Sequence, residues 1–216
     1  MGRVIKAKEF QTVDAVESAR WLVGKFLVRQ LPDAAPEPRM ITEVEAYNGE
    51  CDLACHARAG RTPRTAPLYQ DGGIWYVYLC YGIHEMLNLV VGPRDWPAAI
   101  LIRGVEGIGG PGRVTKRLAI NRALNGLPAD PVTGLWLEDR GVIVPKKCIQ
   151  ATPRIGVDYA GDIWAGKPWR FVLKDTQGCV FPESAGSGAP VISRQLEPNA
   201  RARLIDQPRR DTSRVQ

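Results

Sequence analysis

At 216 residues the chain can build one hydrophobic core or at most two small ones. Its composition, 44% hydrophobic and 24% charged, is that of a globular protein, and no run approaches the roughly 18 apolar residues of a membrane span, so no membrane partner is expected. A net charge of +6 suits a polyanionic partner, and residues 1–9 hold no apolar signal core, which points to the cytoplasm (with the nucleoid, in a bacterium).

Five cysteines, Cys51, Cys55, Cys80, Cys148 and Cys179, make an odd count and predict reduced thiols. Cys51-x-x-x-Cys55-His56 superficially suggests zinc. No second Cys pair and no other nearby His completes four ligands, so no metal is expected.

In chain order, Asp14-Ala-Val-Glu17 has the form of a capping box and predicts a short amphipathic helix ended by Gly24. Residues 25–31 read as a strand, and the Pro-rich stretch 32–38 turns it into a second. That second run, Met40 to Tyr47, alternates faces: Glu43, Glu45 and Tyr47 share one, and Thr42, Val44 and Ala46 share the other. Asn48-Gly49 marks a turn, and residues 57–73 read as loop or short helix. The run 74–81 (Ile-Trp-Tyr-Val-Tyr-Leu-Cys-Tyr) is an aromatic strand closed by Gly82, followed by strands over 86–91 and 98–105. The last is apolar except for Arg103. Gly109-Gly-Pro-Gly112 leads into a predicted helix over 113–124, an entry that can hold a phosphate but lacks the lysine pattern of a nucleotide-triphosphate loop. Short strands follow at 135–137, 141–144 and 169–173, with strand or loop at 153–157. Residues 208–216 read as mobile. With no repeat and no convincing linker, the reading is one domain over residues 1–216, of α/β (α+β) class with a largely antiparallel sheet.

The candidate site lies in residues 39–88. Two glutamates, His56, several tyrosines and the arginines Arg58, Arg61 and Arg64 are what is needed to hold a flat base beside a phosphate backbone and hydrolyse a bond. On composition alone the plainer reading is a sheet with aromatic packing and one solvated acidic edge.

A resemblance overrides that plainer reading. Glu43-Val-Glu-Ala-Tyr47, His56, Tyr76-Val-Tyr-Leu-Cys-Tyr-Gly82, Asn88 and Leu101-Ile-Arg103 resemble the alkyladenine (3-methyladenine) DNA glycosylase family. The similarity continues through Gly110-Pro-Gly112, Leu118-Ala-Ile-Asn121, Pro153-Arg-Ile-Gly156 and Lys167-Pro-Trp-Arg-Phe171, covering about residues 10–175. It implies a curved antiparallel sheet flanked by helices, no metal or organic cofactor, and a monomer acting on double-stranded DNA that contains damaged purines. The activity implied is hydrolysis of the N-glycosidic bond of a purine flipped out of the duplex. By the same resemblance Glu45 matches the general base that activates water, Arg103 matches an arginine that holds the water or the DNA backbone and so is also a DNA-binding residue, and the main chain around Ile155 matches the other part of the water site. Tyr47, His56 and Tyr78 match the walls around the base, Tyr76 a neighbouring ring, and Asn88 the residue at the purine edge. Tyr81 matches the wedge that fills the gap in the duplex.

Three other functions compete. A binding-only nucleic-acid module of the same fold needs no Glu45 in the pocket. In a sugar hydrolase, Glu43 and Glu45 on one strand do not naturally flank a glycosidic bond. A glycosylase/lyase needs an amine nucleophile, and the matched motifs around the site supply no lysine for it.

Overall fold

The structure is a computed structural model that describes residues 2–11, 14–174 and 181–182. Strand β1 (Arg3–Val4) precedes helix α1 (Ala15–Leu22). Asp14 starts that helix, its carboxylate accepting the backbone N–H groups of Val16 at 3.0 Å and Glu17 at 2.9 Å; this satisfies two donors that a helix start leaves free. Next come β2 (Phe26–Arg29), β3 (Glu37–Asn48), β4 (Trp75–Cys80), β5 (His84–Val91), β6 (Ala98–Val105) and β7 (Ile108–Gly109). Helix α2 (Pro111–Arg117), β8 (Leu135–Asp139), β9 (Val142–Ile143) and β10 (Ile149–Thr152) follow. Helix α3 (Gly161–Ala165), β11 (Arg170–Leu173) and β12 (Phe181–Pro182) complete the described chain. No helix among the described residues is long and apolar enough to cross a membrane.

The main sheet is antiparallel and curled, in the order β1-β8-β2-β3-β6-β5-β4, with β7 added to β6 and β10 to β11. Its organising strand is β3. One edge of β3 pairs with β6. The other pairs first with β2 and then, over residues 43–45, with β11. Glu45 therefore sits on a strand bonded on both sides.

Period-2 alternation divides four adjacent strands into two faces. On one face Val44, Ala46, Trp75, Val77, Leu87, Leu89, Ile100 and Ile102 join the main core, covered by Ala15, Ala19 and Leu22 of α1 and Val114 of α2. On the other lie Glu45 and Tyr47 of β3, Tyr76 and Tyr78 of β4, Asn88 of β5, and Leu101 and Arg103 of β6. The segment 50–72 covers part of this second face, where Cys55, Ala57, Leu68 and Tyr69 pack with Tyr76, Val90 and Ala99. The core is thus built by one set of alternate residues and the site by the other.

Two expectations change. The helix over 113–124 ends at Arg117, and a separate 3-10 turn spans Arg122–Leu124. Ala119 turns into the left-handed region, φ 49°. The Arg29 guanidinium takes the last carbonyls, its Nε donating to Leu118 at 3.1 Å and Nη2 to Ala119 at 3.3 Å. This contact from a distant strand ends the helix where periodicity alone would continue it. Of the two forms expected for residues 153–157, strand or loop, they take the loop. Cys51, Cys55 and Cys80 are free thiols, but Cys148 is disulfide-bonded; an odd count of five leaves room for a bridge. Cys179, and the mobility expected of residues 208–216, lie outside the described residues.

Candidate active site

Glu45 is fully buried. The Ile155 N–H donates to its Oε1 at 2.8 Å and the Tyr47 hydroxyl to its Oε2 at 2.8 Å. Arg103 Nε lies 3.4 Å from Oε1. Burial raises the Glu45 carboxyl above its ordinary range, and the Arg103 charge, the Ile155 N–H and the Tyr47 hydroxyl only partly reverse this. Glu43 differs. Arg170 Nε donates to its Oε1 at 2.6 Å and Arg103 Nε at 2.9 Å. Burial pushes this carboxyl up too, but the bonds from Arg170 and Arg103 outweigh it and hold the group below its ordinary range. The acidic edge is therefore not solvated. Two carboxylates on one strand are pushed in opposite directions, the pattern that separates a proton-accepting group from a structural one.

The backbone explains how Arg103 reaches both. Register shifts flank Glu43: it pairs with Gly104, while Val44 pairs with Ile102. Arg103 is left as an extra residue on β6, and such a bulge re-aims a side chain.

Beside these groups opens a cavity of about 500 Å³. Tyr47, His56, Tyr76, Tyr78, Asn88 and Arg103 line it, as do Ile155 and Tyr81. Glu45 itself does not line it: the three groups that hold its carboxylate do. His56 and Tyr78 meet edge to face, with ring centroids 4.6 Å apart, and His56 Nδ1 is 3.0 Å from the Tyr76 hydroxyl. Burial, with the charges of Arg64 and Arg58, lowers His56 to about 4, so the ring is neutral at pH 7. Asn88 Nδ2 donates to the Tyr76 carbonyl at 3.2 Å and the Met86 carbonyl at 3.3 Å. That ties it into the β4–β5 hairpin as well as placing it on the cavity wall.

Tyr81 stands at the tip of that hairpin. Cys80 pairs with His84, so residues 81–83 form the turn. Tyr81 is 89% exposed and Ile83 74%. Tyr81 takes φ 51° and Gly82 φ 71°. A non-glycine residue in the left-handed region carries strain and is uncommon. Packing does not fix this ring; the turn projects it outward at the cavity rim.

The sequence reading missed four groups. Arg154 is buried and forms a two-pronged ion pair with Asp52, at 2.6 and 2.9 Å. Arg170 holds Glu43. Tyr159 lines the cavity, with the Arg58 guanidinium 4.6 Å from its ring centroid. Nothing in the spacing of Asp52 and Arg154 shows that they meet. Among the described residues no group of three or more His, Cys, Asp or Glu side chains is placed to hold a metal.

Residues 9–110 and 106–177 match the methylpurine-DNA glycosylase family. The chain belongs to that family. A protein of Psychrobacter cryohalolentis named "Putative 3-methyladenine DNA glycosylase" is 42% identical over 203 residues, covering 80% of this chain and 92% of the relative. The Arabidopsis thaliana "DNA-3-methyladenine glycosylase" is 39% identical over 196 residues, covering 82% of this chain and 74% of the relative. Membership makes the chain a DNA glycosylase, a hydrolase. The match takes in β3, the β4–β5 hairpin, the 153–157 loop and β11, the segments that build the cavity and the Glu45 shell.

Proposed function

We propose that this glycosylase flips a damaged purine out of duplex DNA into the cavity and hydrolyses its N-glycosidic bond with water activated by Glu45. The observation that carries the reading is the position of Glu45 directly behind Tyr47, Arg103 and Ile155, all of which line the cavity. Water attacks the sugar C1′, its proton passes to Glu45, and the electron pair of the breaking C1′–N bond leaves with the base. Burial raises the proton affinity of Glu45, which suits a general base, and its negative charge also stabilises the positive charge developing on the sugar. The Ile155 N–H is already engaged by Glu45, so Arg103 and the Ile155 carbonyl are the groups assigned to the water.

The His56–Tyr78 pair and Tyr47 offer aromatic surfaces for the base, each stack contributing roughly 1–3 kcal/mol and more for a cationic alkylated purine. Asn88 sits at the purine edge, where it excludes the amino group of normal guanine. Tyr81 fills the gap left in the duplex. The substrates are the 3-methyladenine, 7-methylguanine, hypoxanthine and ethenoadenine class, and one pocket for one extruded nucleotide needs only a monomer. Among the described residues that line the cavity none is a lysine, and the product assigned is an intact strand with an abasic site. The test is a panel of duplexes, each with one such lesion. Free base should appear, and strand cleavage should require added alkali. Cleavage without alkali, or no release from any lesion, contradicts the proposal.

A further inference from the structure

Arg154 and Asp52 do not line the cavity, yet they join three of the segments that do. Both side chains are sealed from solvent. Beyond its two bonds to Asp52, the Arg154 guanidinium donates to the Ala46 carbonyl at 2.9 Å and the Trp164 carbonyl at 3.2 Å. It lies 4.8 Å from the centroid of the Tyr47 ring and 5.1 Å from that of Trp169. Asp52 in turn accepts the N–H of Asn48 at 3.2 Å and of Ala54 at 3.0 Å. The pair therefore ties together the end of β3 with Glu45 and Tyr47, the turn that leads to His56, and the loop that carries Ile155.

A buried ion pair is weak evidence for stability, because apolar residues of similar volume often serve as well. Its geometry is the informative part. Arg154 immediately precedes Ile155, whose N–H holds Glu45, and its flat guanidinium supports the ring whose hydroxyl holds the same carboxylate. Burial works against the Arg154 charge, but the Asp52 carboxylate outweighs it, so the cation persists.

We propose that Arg154, locked by Asp52, is a positioning residue for the glycosylase reaction: it holds the Ile155 N–H and the Tyr47 ring against Glu45 without touching the substrate. This rests on Glu45 being the base. Besides the Ile155 N–H, the groups facing Glu45 are Tyr47 and Glu43 of its own strand, Arg103 of β6 and the charge of Arg154 itself. Arg170, across from it on β11, is bonded to Glu43 and Thr152.

The test compares Arg154→Met, Arg154→Lys and Asp52→Asn under single-turnover conditions, well below their melting temperatures. The maximal excision rate should fall roughly 100-fold, as an ångström-scale misplacement of catalytic groups does. Affinity for a duplex with a non-hydrolysable lesion analogue should fall far less than the rate. In Arg154→Lys, which keeps the charge beside Glu45, the acidic limb of the pH–rate profile should move to higher pH, because an N–H that lowers the Glu45 pKa has been displaced. A merely structural pair would lower the melting temperature and leave the rate per folded molecule and the acidic limb in place; that result overturns the proposal. Asp52→Asn, which keeps the shape of its side chain, reads the same limb should Arg154→Met not fold. Glu45→Gln, run in parallel, separates the two ideas. An active Glu45→Gln sinks the base assignment, whereas an inactive one beside a fully active Arg154→Met sinks this inference alone.

Discussion

Removing the Tyr81 ring should impair base flipping and leave the fold alone. Tyr81 is 89% exposed, so Tyr81→Ala opens no cavity in the core. A surface change of this kind is worth within about 0.5 kcal/mol, or roughly 1–2 °C in melting temperature for a domain of this size. Alanine also keeps a Cβ in the left-handed turn, so no strain is relieved. The loss falls instead on the complex with DNA. A ring that replaces base stacking contributes roughly 1–3 kcal/mol, which is roughly 5- to 140-fold in the flipping equilibrium at 1.4 kcal/mol per decade. Extrusion costs least for a base that is already mispaired, so the deficit should be larger for a well-paired lesion than for the same lesion at a mismatch. Fluorescence of a reporter base beside the lesion follows flipping directly, with melting measured in parallel. A lowered melting temperature with unchanged flipping amplitude would refute the reasoning and move the wedge to Ile83, which is 74% exposed on the same turn.

Four further outcomes follow from the structure. Glu43→Gln should slow excision far less than Glu45→Gln, since Glu43 holds Arg103 and Arg170 rather than a proton in flight; equal losses in single-turnover assays would mean that the two carboxylates act as a unit. The folded-state pKa of Glu43 lies below its ordinary 4.5, so its contribution to stability is present above that value and lost as pH falls through the folded pKa. The melting-temperature gap between wild type and Glu43→Gln should accordingly close in acid, and a gap that widens there would be the wrong sign. His56, lowered to about 4, should stay neutral in an NMR titration from pH 8 to pH 5, and a midpoint near 6.5 would show that the ring is not buried as described. DNA affinity should fall steeply with salt, with a log–log slope of about −2.7 if Arg58, Arg61 and Arg64 each meet a phosphate; a flat line would mean that they do not.

Much of the sheet was legible because alternation is a local property. The shared face of Glu43, Glu45 and Tyr47 follows from period 2, as does the opposition of Trp75 and Val77 to Tyr76 and Tyr78. Which face is closed off is not local. On composition alone the acidic edge reads as solvated, because of the groups that hold the Glu45 carboxylate only Tyr47 is near it in sequence; Ile155 comes from a loop far along the chain and Arg103 from another strand. The same limit accounts for the helix that stops at Arg117, since Arg29 lies on a distant strand. It accounts as well for the Arg154–Asp52 pair, two residues 102 apart that meet only after folding. Strand β10 was missed because Ile149–Thr152 is short and, among the described strands, pairs with β11 alone. The candidate residues themselves came largely from motif resemblance. What the structure adds is their arrangement: two carboxylates with opposed proton affinities, and one of them set behind the cavity wall.

Glu45→Gln tests the central claim most directly. The substitution keeps the volume of the side chain and an acceptor for the Ile155 N–H, and it removes the base. Single-turnover release of base from a lesion duplex should fall by about 10²- to 10⁴-fold, the usual worth of a general base, while affinity for the same duplex is retained. Release at the wild-type rate from a folded, lesion-bound Glu45→Gln protein would contradict the account.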